Sequence, residues 1–424
     1  MRFNVVKNTV LLFVLGMISC GNFFKEKTED ESMISNIEIE ESTLKNQAPQ
    51  IIVGANQTEA YLPLLRGKRI GIVANQTSVI FKNLAPSTKS ENLKYTHLVD
   101  SLIALKLSVK TVFAPEHGFR GTADAGEHIK DGIDTKTGVP IVSLYGDNKK
   151  PKPEQLKNID IMIFDIQDVG ARFYTYISSL HYVMEACAEA KIPVLIFDRP
   201  NPNGHYIDGP VLEMEHKSFV GMHPIPVVHG MTIGEYAKMI NGENWLKNSI
   251  QCELKIIAIK NYSHQMSYSL PIKPSPNLPN DKSINLYASL CFFEGTNVSV
   301  GRGTNTQFQV FGSPFLDKNT FNYTFTPKPN EGAKQPLYQD KICYGMNLED
   351  AKNLKSINLN WLISAYKNTK NKTDFFNAFF TKLAGTKKLQ QQIETGVTET
   401  LIKASWQQDL ETFKRNRQTY LIYK

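Results

Sequence analysis

From Ile51 onward the chain alternates short, nearly unbroken apolar runs with stretches whose apolar residues recur every three or four positions. The runs Arg69–Ala74 (RIGIVA), Val109–Ala114 (VKTVFA), Ile159–Ile166 (IDIMIFDI) and Ile192–Asp198 (IPVLIFD) are rich in Ile and Val. Such continuity predicts strands buried on both faces of a parallel sheet. His97–Leu105 and Tyr174–Ala190 carry the helical spacing, and Thr232–Glu235 (TIGE) has the form of a capping box that opens another helix. Strand and helix in alternation predict a doubly wound α/β domain over residues 50–270.

Past Leu270 the texture changes. PIKPSPNLPND is dense in proline and asparagine and predicts an ordered crossing between domains. Glycine-rich turns and amphipathic stretches follow, then a helical pattern near Leu401–Arg415 and a short β-type ending, TYLIY. Residues 271–424 are expected to form a smaller α+β domain. The start of the chain follows another pattern. Arg2 and Lys7 precede the apolar run Val10–Ile18, too short to span a bilayer comfortably but suited to a secretory signal. The run closes as LGMISC, which resembles the lipobox of bacterial lipoproteins. Residues 1–19 then read as a lipoprotein signal and Cys20 as the lipidated residue. The charged, aromatic-poor segment over 20–49 reads as a tether that lifts the domain off a membrane. A simple secreted protein with an incidental Cys20 is the alternative.

Composition narrows the class. Hydrophobic residues make up 41% and charged residues 21% of 424, as in ordinary globular proteins, and the length suggests two domains. A net charge of +7, with Lys and Arg scattered among the acids, argues against nucleic acid as a partner. Beyond Cys20 the cysteines are Cys187, Cys252, Cys291 and Cys343, far apart and without CxxC spacing, so no zinc knuckle or disulfide framework is implied. Cys187 lies in an apolar helical pattern and reads as core.

In an open parallel sheet, ligands bind outside the carboxyl ends of the strands. Polar residues gather at those ends here: Asn75, Gln76 and Thr77; Pro115, Glu116 and His117; Asp165, Gln167 and Asp168; Asp198, Arg199 and Asn201. That rim is the expected active site. Asp165 can equally cap the following helix, and Asp198 can be a turn residue tied to its own backbone. Arg172, in DVGARFYTY, is placed to hold an anionic substrate group by two hydrogen bonds. Glu116, between proline and histidine and ahead of a glycine, is poor packing material and reads as functional.

The chemistry is limited by what is absent. No GxSxG is present for a serine hydrolase, and ANQTSV after the first strand lacks the glycines of a dinucleotide loop. Glu116, His117, His128, Asp165 and Asp168 could supply a metal hydrolase, but no HExxH or comparable spacing occurs. No metal and no nicotinamide cofactor is expected. Paired carboxylates with arginines and aromatics suit glycoside hydrolysis.

FAPEHGFRGTADAGE, FDIQDVGARFYTYISSL, FDRPNPNG with its following DGP, and SPNLPN followed by FFEGTNVSVGRGT resemble the motif set of the exo-β-N-acetylmuramidases of bacterial cell-wall recycling. The four motifs occur in order, and the resemblance covers nearly the whole chain after the tether. It implies a Rossmann-like N-terminal domain, a smaller C-terminal domain and a cleft between them. It also implies removal of terminal N-acetylmuramic acid from the non-reducing end of peptidoglycan fragments, while the LGMISC signal leads one to expect an envelope protein held through a lipid anchor at Cys20. By motif, Glu116 is the candidate catalytic acid, with Asp168 as the candidate second carboxylate. His117, Arg120, Arg172 and Tyr176 stand where the family's motifs line the site, joined by Asp165 from the strand-end reading. Glu294 and Arg302 would come from the second domain. The substrate's lactyl carboxylate then calls for a guanidinium, with Arg172 as first choice and Arg120 and Arg302 as others. A catalytic acid must keep its proton, so Glu116 is expected away from the arginines. A lipoprotein that binds cell-wall sugar without cleaving it is the alternative from another class.

Overall fold

The computed structural model describes residues 50–82, 94–121 and 131–424. The signal, the tether, Cys20 and His128 lie outside the described residues. Gln50–Lys424 forms one compact unit.

Its frame is a seven-stranded sheet of β1 (Arg69–Ala74), β4 (Ser108–Ala114), β5 (Gly132–Ile133), β6 (Pro140–Ser143), β7 (Ile161–Asp165), β8 (Val194–Phe197) and β9 (Leu254–Ile257), in the order β5-β6-β4-β1-β7-β8-β9. A separate hairpin, β2 (Val79–Phe81) and β3 (Tyr95–His97), follows β1. Every pairing in the large sheet is parallel except β5 with β6. The apolar runs are buried on both faces because alternate residues enter different cores. Ile161 and Ile163 of β7 join one cluster while Met162 and Phe164 join the other. Without β5, the order has the 3-2-1-4-5-6 form of a Rossmann-like fold, with its switch point between β1 and β7. The register sets the strand ends level, pairing Ala74 with Asp165 and Ala114 with Ser143. The loops that begin at Asn75, Pro115, Leu144 and Ile166 therefore open side by side.

The expected helices stand at Leu98–Ala104, Tyr176–Glu189 and Ile233–Gly242, the last opened by a capping box of Thr232 and Glu235. Cys187 is buried, as its pattern indicated. The crossing over 271–281 runs in turns across the strand ends, where Tyr174 Oη and Gln76 Nε2 donate to the Pro274 carbonyl. It leads into the helix Asp281–Leu290, capped by Asn280, whose side chain accepts from the Ser283 N–H. Beyond lie a three-stranded antiparallel sheet, ordered β10 (Val310–Ser313), β12 (Cys343–Asn347), β11 (Tyr323–Phe325), and a run of short helices. The larger hydrophobic core continues from Tyr176 and Ile177 to Phe292 and Phe380, so one apolar interior serves both halves.

The helical pattern near Leu401–Arg415 is helical, divided into two helices, Glu399–Ala404 and Gln407–Gln418. One expectation fails locally. The ending TYLIY forms no strand: the N–H groups of Ile422 and Tyr423 both donate to Glu235 Oε1, and Tyr423 Oη donates to Asp198. A carboxylate takes the bonds that a neighbouring strand would have supplied.

Candidate active site

A cavity of about 260 Å³ opens at the carboxyl ends of β4, β6 and β7, covered by residues of the C-terminal half. Glu116 reaches it from the loop after β4. Thr175 Oγ1 donates to Glu116 Oε2 at 2.8 Å, and the Tyr145 hydroxyl bonds to the same carboxylate. Burial and that negative charge push Tyr145 well above the usual phenol range. The turn that presents Glu116 is sharp. His117 and Gly118 both take positive φ, 70° and 75°, and His117 is buried against the cavity. A side chain held in the left-handed region at a cleft is the kind of local strain that sites retain.

Across the cavity stand Glu294 and Arg302. Arg302 Nε and Nη2 both donate to Glu294 Oε1, each at 2.7 Å, and the Cys291 thiol donates to Oε2. The guanidinium also lies 5.3 Å from the Phe308 ring, which favours a cation over its face. Glu294 and Arg302 line a second hollow as well, of about 250 Å³, closed by the 332–337 segment.

Of the residues expected at the site, Glu116, His117, Glu294 and Arg302 line this cavity. The others do not, and each has a structural occupation. Arg172 is fully buried: Nη1 donates to the carbonyls of Pro210 and Ile225, and Nη2 to those of Leu383 and Ala384. With both terminal nitrogens bound to backbone carbonyls and its buried Nε off the cavity wall, Arg172 is not placed to hold a substrate carboxylate, and the role expected of it is corrected accordingly. Arg120 is engaged by Asp100 at 3.0 Å and Asp134 at 2.7 Å. Asp165 is a buried two-point partner of Arg199, at 2.7 and 3.0 Å, rather than a substrate ligand or a helix cap. Asp168, expected as the second carboxylate, is buried behind the cavity wall, accepting from the Gly170 N–H at 2.7 Å. Tyr176 is a brace: its hydroxyl accepts from Asn75 Nδ2 and reaches the Glu116 carbonyl at 3.4 Å, tying two strand-end loops together.

Of the residues weighed as metal ligands, Glu116, His117, Asp165 and Asp168 do not cluster as a metal-binding group among the described residues, and His128 lies outside them. Among the described residues such a group occurs at Glu213, Glu215 and His216, off the cavity wall, with Glu213 already bound by Lys388 at 2.7 Å.

Comparison with known proteins decides the family. A model described as "Exo-beta-N-acetylmuramidase NamZ, N-terminal" matches residues 70–282, and its C-terminal counterpart matches residues 285–423. The chain belongs to the exo-β-N-acetylmuramidase family. It is 36% identical to the peptidoglycan β-N-acetylmuramidase NamZ of Bacillus subtilis, covering 99% of this chain and all of that one. Two crystal structures of DUF1343-family proteins from Bacteroides fragilis are also similar. One shares 48% identity with a TM-score of 0.79, over 89% of this chain and 99% of its own. The other shares 27% with a TM-score of 0.73, over 88% and 99%.

Within this exo-β-N-acetylmuramidase fold, sequence reasoning missed Tyr145, Thr175, Asn277 and Tyr287 on the cavity wall. Thr175 and Asn277 lay inside quoted motifs, RFYTY and SPNLPN, and polar residues there without a packing role were a usable signal. Tyr145 carried none, since only the level register of β4 and β6 brings it beside Glu116.

Proposed function

We propose that this chain is an exo-acting glycoside hydrolase that releases terminal N-acetylmuramic acid from peptidoglycan fragments, with Glu116 as the acid. The observation that carries the reading is a cavity on the scale of one substituted sugar ring that holds two carboxylates, Glu116 and Glu294, and an arginine. The family match and the name of the Bacillus subtilis relative support the same substrate. Glu116 protonates the glycosidic oxygen while positive charge develops on the departing sugar, and Glu294, replacing Asp168 as second carboxylate, is the counter-charge. Arg302 reads the lactyl carboxylate. It is the cation on the cavity wall among the described residues, and its Nη1 carries no hydrogen bond there.

The test is release of free N-acetylmuramic acid from a disaccharide that bears it at the non-reducing end. Glu116→Gln should lower kcat by about 10²- to 10⁴-fold while leaving the melting temperature close to that of the parent. Arg302→Ala should shrink the advantage over a substrate ending in N-acetylglucosamine, a loss of roughly ten- to a hundredfold. Undiminished turnover by Glu116→Gln would remove Glu116 as the acid, and a parent chain that binds the disaccharide but releases no sugar would leave only sugar binding.

The start of the chain supports an envelope location, with Cys20 acylated and the following polar segment as a tether. Cys20→Ala should move the protein from the membrane to the soluble fraction, and unchanged membrane association would remove the lipid anchor from this reading.

A further inference from the structure

One residue of the cavity wall carries a polar atom with no partner within the fold. Asn277 is 1% exposed and lines the cavity. Its Nδ2 donates to the Gly332 carbonyl at 2.6 Å, which settles the amide's orientation, and its backbone N–H donates to Ser275 Oγ at 3.2 Å. Its Oδ1 is buried with no partner. Among the described residues Asn277 is the one cavity-lining residue with a side-chain polar atom in that condition. A buried acceptor left bare costs free energy, and at a cavity wall a bound molecule can supply the donor.

The surroundings say what kind of donor fits. Leu278, next in sequence, lines the same cavity, as do the rings grouped about Tyr287: Phe173 at 5.4 Å, Tyr174 at 5.8 Å and Phe308 at 5.0 Å between centroids. An acceptor beside an apolar wall matches a group that joins an N–H to a methyl. A hydroxyl would satisfy Oδ1 and leave the wall unfilled.

We propose that Asn277 and this wall seat the substrate's acetamido group, with Oδ1 accepting its N–H and the methyl packed among Leu278 and the rings. The inference rests on the reading of the substrate as an N-acetylated sugar. Gly332 is the positioning residue. A Cβ there would come 2.9 Å from Asn277 Oδ1 and 3.1 Å from Pro276 Cβ, so a side chain would displace the acceptor.

Two substrates that differ only at the terminal sugar's acetamido group, one with an O-acetyl ester in its place, isolate the N–H. The parent chain should prefer the amide by about ten- to a hundredfold in kcat/KM. Asn277→Ala should lower kcat/KM on the amide and bring the ratio toward one, and Gly332→Ala should act in the same direction by a smaller factor. Calorimetric binding of free N-acetylmuramic acid and its O-acetyl analogue should show the same preference in the parent and its loss in Asn277→Ala. A parent chain that cleaves both substrates equally, or an Asn277→Ala variant that loses activity on both alike, overturns the acetamido seat and leaves the glycosidase standing. A parent chain that neither cleaves nor binds either overturns both.

Discussion

Asp168 and His229 meet in a buried corner where His229 Nε2 lies 3.8 Å from Asp168 Oδ2. Burial raises Asp168 to about 7, against hydrogen bonds from the Gly170 and Val169 N–H groups that lower it, and burial lowers His229 to about 3. Both are thus neutral in the folded state near pH 6. The two groups act on stability with opposite sign. Between pH 4 and 7 the folded chain holds a proton on Asp168 that the unfolded chain has released, so this residue's contribution falls as pH rises and levels off above 7. The neutral imidazole contributes stability that is complete above pH 6.5 and is lost as pH falls toward 3; His97 and His181, each lowered to about 4 by burial, add to that loss. Asp168→Asn keeps an acceptor for Gly170 and removes the ionisation. Its melting temperature relative to the parent should climb from pH 4 to 7 and stay constant beyond, a gain of up to about 4 kcal/mol. A difference independent of pH would show that Asp168 is ionised in the fold. The sequence marked Asp168, Arg120 and Arg172 as polar and near the strand ends, and all three are. Their orientation was not legible, because it depends on partners as remote as Asp134 for Arg120 and Ala384 for Arg172.

At the level of elements, the strands were legible because burial on both faces writes an unmistakable apolar run. Helix ends carry less signal, and one of them bears on catalysis. Thr175 is the N-cap of the helix Tyr176–Glu189 yet makes no side-chain cap, spending its hydroxyl on Glu116 instead. The carboxylate is thereby held at the positive end of a helix. The site has taken a hydrogen bond that the helix would otherwise use. Thr175→Val should therefore alter stability by less than about 1 kcal/mol, since no cap is lost, while lowering kcat by roughly tenfold, with Thr175→Ser restoring it. A large fall in melting temperature with kcat unchanged would mean that the hydroxyl serves the helix. Asp198 shows the opposite allocation. It accepts from Arg199 N–H, Gly234 N–H, Thr232 Oγ1 and Tyr423 Oη, joining the end of β8, the next helix and the last turn of the chain. The turn-residue reading of Asp198 captured the first of these bonds and none of the distant ones.

For the whole molecule, Arg172 is the tie between the halves. Its guanidinium joins the Pro210 and Ile225 carbonyls to those of Leu383 and Ala384, at the C-terminal and hence negative end of the helix Phe379–Ala384. Gly385 closes that helix at φ 73°, and a Cβ on it would lie 2.7 Å from Arg172 Nη2, so conformation and space both call for glycine. Leu383 also lines the cavity. The cover of the candidate active site is therefore held by a side chain that does not line the cavity. Arg172→Ala takes a donor from four buried carbonyls, of which, among the described residues, Ile225 alone keeps another, the Leu212 N–H, and should destabilise the fold by about 3–5 kcal/mol. Arg172→Lys keeps the charge but lacks the planar fork that reaches both pairs of carbonyls, so it should recover only part of that loss. Protein that remains folded should lose turnover on substrates ending in N-acetylmuramic acid and N-acetylglucosamine by the same factor, because the cleft is loosened and the lactyl group still meets Arg302. Thermal melting beside kcat/KM for the two substrates separates the roles. An Arg172→Ala variant with an unshifted melting temperature and a lost preference for the lactyl group would return Arg172 to the substrate.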